Sequence, residues 1–103
     1  MPPSRPEFRT PVETQQLLAD RLKQERLALG YKQATLAKRS GVSLASLRRF
    51  EQTGEIALSR LLRLCHALGR LEDFDALLAA PVARSMAELE SRVGKRARSR
   101  GSR

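Results

Sequence analysis

The sequence predicts an all-α fold, a compact five-helix bundle, on three observations. Hydrophobic residues make up 41% of the 103 residues but aromatic residues only 4%, so leucine and alanine must fill the core. A leucine-, alanine- and charge-rich composition with few glycines favours helices. The sequence contains no run of alternating β-branched residues that would predict a strand. The third observation is a pattern of two short, closely joined helices over residues 33–52.

The chain divides by composition into three parts. Residues 1–9 hold three prolines without helical periodicity and are predicted to be a flexible N-terminal arm. Residues 10–80 are the predicted helical domain. Residues 81–103 carry seven basic and two acidic residues and are predicted to be a basic, mostly disordered C-terminal tail. One or two helical turns are expected within residues 85–93, around Met86, Leu89 and Val93.

The first helix is predicted to span Pro11–Leu29. Thr10 and Glu13 flank a proline at the first helical position and match a capping box. Gly30 is expected to end the helix. The leucines expected to face inward are Leu18, Leu22 and Leu29.

Arg26 lies close to this inward stripe and raises the question of its partner. A guanidinium near a core is tolerated only when it is paired. Glu51, on the third helix, is the candidate partner. The alternative is a solvent-facing Arg26 that meets Glu25 or Asp20.

Residues 33–52 predict a second and a third helix joined by a tight turn. Ala37 is small where the two helices cross. Gly41 stands where a left-handed residue is needed, and Ser43 can cap the third helix. Gly54 is the expected end of that helix. The apolar residues expected between the two helices are Leu36, Val42, Leu47 and Phe50.

The opposite face of the third helix carries Ser46, Arg48 and Arg49, and Leu44 and Ala45 stand at its start. A helix end with small side chains and many donors suits the major groove of DNA. The pattern therefore predicts a helix-turn-helix, with an ordinary helical hairpin as the alternative. Gln33, which opens the second helix, is expected either to donate to a DNA phosphate or to act as a plain cap.

The fourth helix is predicted over Leu58–Leu68, ending at Gly69. Its inward residues are expected to be Leu58, Leu61, Leu62, Cys65 and Leu68. A fifth helix is predicted over Leu71–Leu78. Its residues Phe74, Leu77 and Leu78 are expected either to complete the core or to form a dimer or partner surface.

Charge and missing motifs narrow the function. Twenty basic and eleven acidic residues give a net charge of +9, which suits nucleic acid, with an acidic protein or a membrane surface as alternatives. No apolar run approaches the ~20 residues of a membrane span. The N-terminus has no signal-peptide core, and the single cysteine fits a cytoplasmic protein. Cys65 and His66 project from different sides of one helix, so no catalytic residue, metal site or cofactor is predicted, and the protein is predicted not to be an enzyme.

Residues Leu18–Leu78 resemble the Cro/cI-type, or Xre-type, helix-turn-helix family. The residues that carry the resemblance are Leu22, Arg26, Gly30, Gln33, Leu36, Ala37, Gly41, Val42, Ser43, Leu47, Glu51, Gly54, Leu61 and Leu68. The resemblance implies a lambda-repressor-like five-helix bundle that binds double-stranded operator DNA as a homodimer. It also implies that Arg26 pairs with Glu51.

The same resemblance implies roles for individual residues. It assigns base reading to Ser43, Leu44, Ala45, Ser46 and Arg49, and DNA-backbone contacts to Lys32, Gln33 and Gln52. Glutamine is common in the family where Leu44 and Ala45 stand here. These two residues can make only apolar contacts, for example with a thymine methyl group. Polar base reading is therefore expected from Ser46, Arg48 and Arg49.

Residues Ser46–Leu78 are also similar to HipB-type antitoxins, which are encoded beside HipA-like kinase toxins. The stretches RRFExTGEI and LGRLxDFxxLL carry this likeness. It implies an autoregulating repressor that also binds a HipA-like kinase, in the bacterial cytoplasm and on the nucleoid when bound to DNA. The alternatives are a stand-alone Xre-type regulator, a protein-interaction module with non-specific DNA binding, and an RNA-binding basic domain. The last lacks the aromatic residues on which RNA-binding modules stack bases.

Overall fold

The computed structural model describes residues 9–81 and 89–91, and this part of the chain contains helices and no strand. The α-helices are α1 (Pro11–Ala28), α2 (Gln33–Ser40), α3 (Leu44–Thr53) and α4 (Leu58–Ala67). A 3₁₀ helix, Leu71–Phe74, follows them. The chain forms two compact units whose boundary lies between Glu72 and Asp73. The predicted all-α, lambda-repressor-like bundle is confirmed.

Helix α1 begins at the predicted capping box. The Thr10 N–H donates to Glu13 Oε1 at 2.9 Å, and the Glu13 N–H donates to Thr10 Oγ1 at 3.1 Å. The helix ends at Ala28, one residue before the predicted end, and Leu29 is its C-cap. Gly30 follows with a φ of 76°, a left-handed conformation that glycine adopts without strain.

The buried face of α1 matches the prediction only in part, since Leu22 is the one predicted leucine that is buried. Ala19, Leu22 and Arg26 are buried, whereas Leu18 and Leu29 are exposed. The buried residues are spaced by three and four, as one helical face requires. The prediction was wrong about Leu18 and Leu29 because it placed the face by its leucines, and here a small alanine and a paired arginine occupy the positions that face the core.

Helices α2 and α3 form the centre of the unit. Gly41, at the turn between them, has a φ of 75°, and Ser43 caps α3 by accepting the Ser46 N–H at 3.0 Å. Helix α3 packs against α1 and α2, and α2 packs against α4. All of the apolar residues predicted between α2 and α3 are buried: Leu36, Ala37, Val42, Leu47 and Phe50.

The end of α3 is fastened to the start of α1. Gly54 ends α3 with a φ of 82°, and a Cβ there would lie 2.9 Å from the carbonyl carbon of Gln15. The Gln15 side-chain amide donates to Gly54 O, and the Gln16 amide donates to Thr53 O, each at 3.0 Å. Only glycine fits both the backbone conformation and this close approach.

The inward face of α4 is largely the predicted one, because Leu61, Cys65 and Leu68 pack against the core and Leu62 is half-buried. The prediction was wrong to include Leu58 and missed Leu64. Leu64 is fully buried and Leu68 is buried, whereas Leu58 is exposed. Leu61 and Cys65 pack partly buried against the core, so the face runs at the helical spacing 61, 64, 65, 68. Leu58 stands at the first helical position, before this face begins. Gly69 follows α4 with a φ of 75°, as expected for a helix end.

The predicted fifth helix is present but shorter than predicted: Leu71–Phe74 form a 3₁₀ helix, and turns follow where the prediction continued the helix to Leu78. Asp73 and Asp75 have low helix propensity, which disfavours a regular α-helix in this segment. Leu78 has a φ of 63°, which a regular helix excludes.

Most of the predicted arm and tail lies outside the described residues. This includes residues 1–8 of the arm, Met86 and Val93, and the basic end of the chain, residues 94–103. Residues 89–91, within the segment where helical turns were expected, are helical. The predicted domain limits, residues 10–80, stay a prediction.

Candidate nucleic-acid interface

Helix α3 has two chemically different faces. Leu47 and Phe50 are buried and form the face of α3 that packs on the core. Ala45, Arg48 and Arg49 are exposed on the outer face. The helix therefore presents positive charge and hydrogen-bond donors on its outer face.

The N-terminal end of α3 is organised by two serines. The Ser43 hydroxyl accepts the Ser46 N–H at 3.0 Å and donates to Ser46 Oγ at 2.9 Å. Both serines lie at the end of α3 that a major groove would admit. Leu44, beside them, is half-buried and packs partly against the core, so only part of its side chain remains for an apolar contact.

Arg49 is paired with an acidic residue beyond the end of α3. Its Nη2 donates to Glu55 Oε1, and the two side chains are 67% and 58% exposed. The Glu55 N–H donates to Thr53 Oγ1 at 3.1 Å, and the Thr53 hydroxyl donates to Arg49 O at 2.8 Å. No direct signal in the sequence indicates this pair, because the residues are six apart and meet only through the turn at Gly54.

A cleft lies where α3 meets the loop before α4. Its lining residues are Ser46, Arg49, Glu55, Ile56, Ala57 and Arg60. Arg60, in the first turn of α4, was not among the residues predicted for DNA contact. The only signal in the sequence that could have indicated Arg60 is a basic residue in the first turn of the helix that follows α3.

The structure contains the ion pair that the sequence predicts between Arg26 and Glu51. Arg26 Nε donates to Glu51 Oε2 at 2.8 Å, and Nη2 donates to Oε1 at 2.9 Å. Both side chains are buried, at 7% and 5% exposure. Arg26 Nη1 also donates to Tyr31 O at 2.9 Å. The solvent-facing alternative for Arg26 is therefore wrong, and the pair joins α1 to the last turn of α3.

The family comparison matches this architecture. A model of the helix-turn-helix family matches residues 22–74, just over half of the chain, from the middle of α1 through the 3₁₀ helix. The chain belongs to the Cro/cI-type helix-turn-helix family. It therefore carries a DNA-binding domain of the kind found in transcriptional regulators. The sequence has no match among curated proteins.

In this helix-turn-helix domain, the residues predicted to contact the DNA backbone have different surroundings. Lys32 and Gln52 are exposed. Lys32 precedes α2 but makes no side-chain capping hydrogen bond. Gln33 is not a plain cap, because its Nε2 donates to Glu51 Oε1 at 2.9 Å. The amide of Gln33, at the start of α2, thus contacts the buried ion pair of Arg26 and Glu51.

The predicted dimer or partner surface lies in the second compact unit. Leu77 is exposed, Leu78 is 95% exposed, and Phe74 is half-buried. Two neighbouring leucines open to solvent are an unusual use of apolar side chains, and such groups often mark contact sites.

Among residues 9–81 and 89–91, no group of three or more His, Cys, Asp or Glu side chains is placed to hold a metal ion. In the same part of the helix-turn-helix protein, no helix has the length and apolar character that a membrane span needs.

Proposed function

We propose that the protein is a sequence-specific transcriptional repressor that binds operator DNA as a homodimer, with α3 in the major groove. The observation that carries the proposal is the division of α3 into a buried apolar face and an exposed, donor-rich face within the family-matched segment. Repression would follow from occupying DNA that the transcription machinery needs.

Each predicted residue has a role in this proposal. Ser43, Ser46, Arg48 and Arg49 supply polar base contacts, and Leu44 and Ala45 supply apolar ones. Lys32, Gln33 and Gln52 contact phosphates. We add Arg60, because it lines the same cleft as Ser46 and Arg49 and a flexible cation there suits the DNA backbone.

The homodimer is supported by the exposed residues of the second unit. Leu77 and Leu78 offer apolar area that a second copy would cover, with Phe74 beside them in the sequence. A two-fold dimer would place its two α3 helices in successive major grooves, about 34 Å apart. The operator is then expected to be a near-palindrome.

The test is binding to the DNA upstream of the gene and to a scrambled duplex, each at two salt concentrations. We expect a large preference for the upstream DNA that persists at higher salt, because base contacts depend less on counterion release than phosphate contacts do. Equal, salt-sensitive binding to both duplexes would refute specific repression and favour the alternative of an interaction module that holds DNA non-specifically.

We further propose that the protein is a HipB-like antitoxin that represses its own operon and binds a HipA-like kinase toxin. This proposal is supported by the similarity of Ser46–Leu78 to HipB-type antitoxins and by the exposed Leu77 and Leu78, which the kinase would then cover in place of a second copy. The alternative is a stand-alone Xre-type regulator with no toxin partner.

A co-purification experiment separates these two alternatives. The full-length protein would be co-expressed with a HipA-like kinase encoded beside its gene. We expect a complex that is weakened by Leu77→Ser with Leu78→Ser, because the substitutions place hydroxyl groups where an apolar contact is proposed. The control is Leu58→Ser, which alters an exposed leucine on α4. No such neighbouring gene, or no complex, would refute the antitoxin proposal and leave the repressor proposal standing.

A further inference from the structure

We propose that Glu55 is a specificity-determining residue that positions the guanidinium of Arg49 to read a guanine in the major groove. The inference rests on the proposed function, because it takes α3 as the DNA-reading helix. Glu55 lies outside α3 and outside the set of residues that the sequence pattern predicts for DNA binding.

The first support is the way the Glu55 carboxylate is held. Gly54 turns the chain back at the end of α3 with a φ of 82°. The Glu55 N–H donates to Thr53 Oγ1, and the Thr53 hydroxyl donates in turn to the carbonyl of Arg49. The backbone of Glu55 is thus tied through one side chain to the residue whose guanidinium its carboxylate binds. The pair is built into the end of the helix.

The second support is the number of hydrogen-bond donors that a guanidinium carries. Bidentate reading of a guanine uses two parallel N–H groups, which donate to O6 and N7. A guanidinium has five N–H groups, and the hydrogen bond to Glu55 uses one of them, on Nη2. A parallel pair remains for the base. Since an exposed arginine otherwise loses rotamer freedom on binding, a fixed guanidinium reads its base at a smaller entropic cost.

The third support is the position of the negative charge. Glu55 lines the same cleft as Arg49 and Arg60, on the proposed DNA-facing side. A carboxylate there repels phosphates and weakens binding to every DNA sequence. A residue that only added affinity would not be acidic at this place. Positioning Arg49 and opposing non-specific binding together increase discrimination, and both follow from one side chain.

The experiment is selection from a random-sequence DNA duplex library by the full-length protein, three single variants and one double variant. Arg49→Ala identifies the base pair that Arg49 reads, as the position at which preference disappears. Glu55→Gln is expected to recover the wild-type motif with the guanine preference at that position lowered about two- to fivefold, the range of an exposed ion pair. The control is Glu25→Gln on α1, which removes the same charge and breaks a surface ion pair with Arg70.

A second measurement is affinity for one random-sequence duplex at low salt. Glu55→Gln is expected to bind it about two- to fivefold more tightly, because a charge that repels phosphates is gone. Glu25→Gln is expected to change this affinity less. In an Arg49→Ala background, Glu55→Gln should still raise the non-specific affinity but leave the selected motif unchanged.

Several outcomes would overturn the inference. An unchanged guanine preference in Glu55→Gln would mean that Glu55 does not position Arg49. A sharper preference would mean that Glu55 holds Arg49 away from DNA. A wild-type motif recovered by Arg49→Ala would remove Arg49 as the reader. If the wild-type protein enriches no sequence, the proposed function itself fails. If the wild-type protein enriches a motif and Glu55→Gln enriches the same motif with the same guanine preference, only the role of Glu55 fails.

Discussion

Arg26 is a charged residue in a core position, and its hydrogen bonds explain how the fold tolerates it. The guanidinium makes two hydrogen bonds to Glu51 and one to Tyr31 O, and Gln33 donates to the same carboxylate. Among the described residues, no buried side-chain nitrogen or oxygen lacks a hydrogen-bond partner. A buried pair of this kind contributes little net stability while both partners are present, but the loss of either leaves an uncompensated charge.

Glu51→Gln is therefore expected to lower the free energy of unfolding by about 3–5 kcal/mol. The matched control is Glu25→Gln, whose carboxylate pairs with Arg70 at 3.2 Å on the surface. That substitution should lower it by about 0–1 kcal/mol. Urea unfolding of both variants measures the difference. Equal losses would show that burial does not set the importance of the Arg26–Glu51 pair.

Arg49→Ala tests base reading by a single side chain. We expect it to weaken operator binding by about 1–3 kcal/mol and to relax the preference at one base pair. Arg21→Ala, on the exposed surface of α1, is the control for the loss of one positive charge. Affinities for the operator and for a scrambled duplex give the readout. If Arg49→Ala weakens both equally, Arg49 contacts a phosphate instead of a base.

The two arginine pairs differ in how far sequence could predict them. The pair of Arg26 with Glu51 was predictable, because Arg26 lies near the inward face of its helix and the family resemblance names its partner. The pair of Arg49 with Glu55 was not, because it depends on the direction in which the chain leaves Gly54. Gln33 was predicted only as a phosphate contact or a cap, and its hydrogen bond to Glu51 could not be predicted because it depends on how α2 and α3 are packed.

At the scale of helices, their ends were easier to predict than their faces. Capping residues act locally, so Thr10, Ser43 and Gly54 mark helix ends correctly. Individual leucines on α1 and α4 were misassigned because leucines exceed the available core positions. On α1, for example, Leu22 is buried but Leu18 and Leu27 are exposed. Periodicity in leucines alone cannot choose between neighbouring faces, and the choice is made by the helices packed against them.

Gly54→Ala tests the junction between α1 and α3. The added Cβ would meet the Gln15 backbone at 2.9 Å, in addition to the strain of a positive φ. We expect a loss of about 2–5 kcal/mol in the free energy of unfolding. Gly30→Ala is the control, since Gly30 has a φ of 76° but a Cβ added there would meet nothing within 4 Å. The Gly30→Ala variant should lose about 1–2 kcal/mol in the free energy of unfolding. Equal losses by thermal unfolding would mean that the close approach is unimportant.

At the scale of the whole molecule, positive charge is spread well beyond the proposed reading helix. The net charge is +9, and residues 94–103 contribute five basic side chains of the total. Charges in this segment lie outside the described residues, so its role stays a prediction. Non-specific phosphate contacts would add affinity without adding sequence preference.

Removal of residues 94–103 is expected to flatten the salt dependence of DNA binding and to leave the sequence preference unchanged. The slope of log K against log salt is negative, and its magnitude should decrease by about 0.9 for every phosphate that the shortened protein no longer neutralises. Operator and scrambled duplexes, titrated over a range of salt, measure both quantities. An unchanged slope would show that the tail does not contact DNA.

Fold class and family were predictable at this scale because they depend on patterns within one chain. The alternation of apolar and exposed residues in α2 and α3, with Gly41 between them, carries most of that information. Operator sequence, dimer contacts and a kinase partner depend on surfaces of other molecules. For these, Leu77, Leu78 and the exposed face of α3 indicate where contact is expected.

The fastening of α1 to α3 bears on how far the chain can be shortened. The family-matched segment begins at residue 22, yet Gln15 and Gln16 hold the end of α3 and Ala19 fills the core. A fragment cut at the family boundary would lack all three, together with the cap at Thr10. The smallest independently folding piece of this protein must therefore start before the region that defines its family.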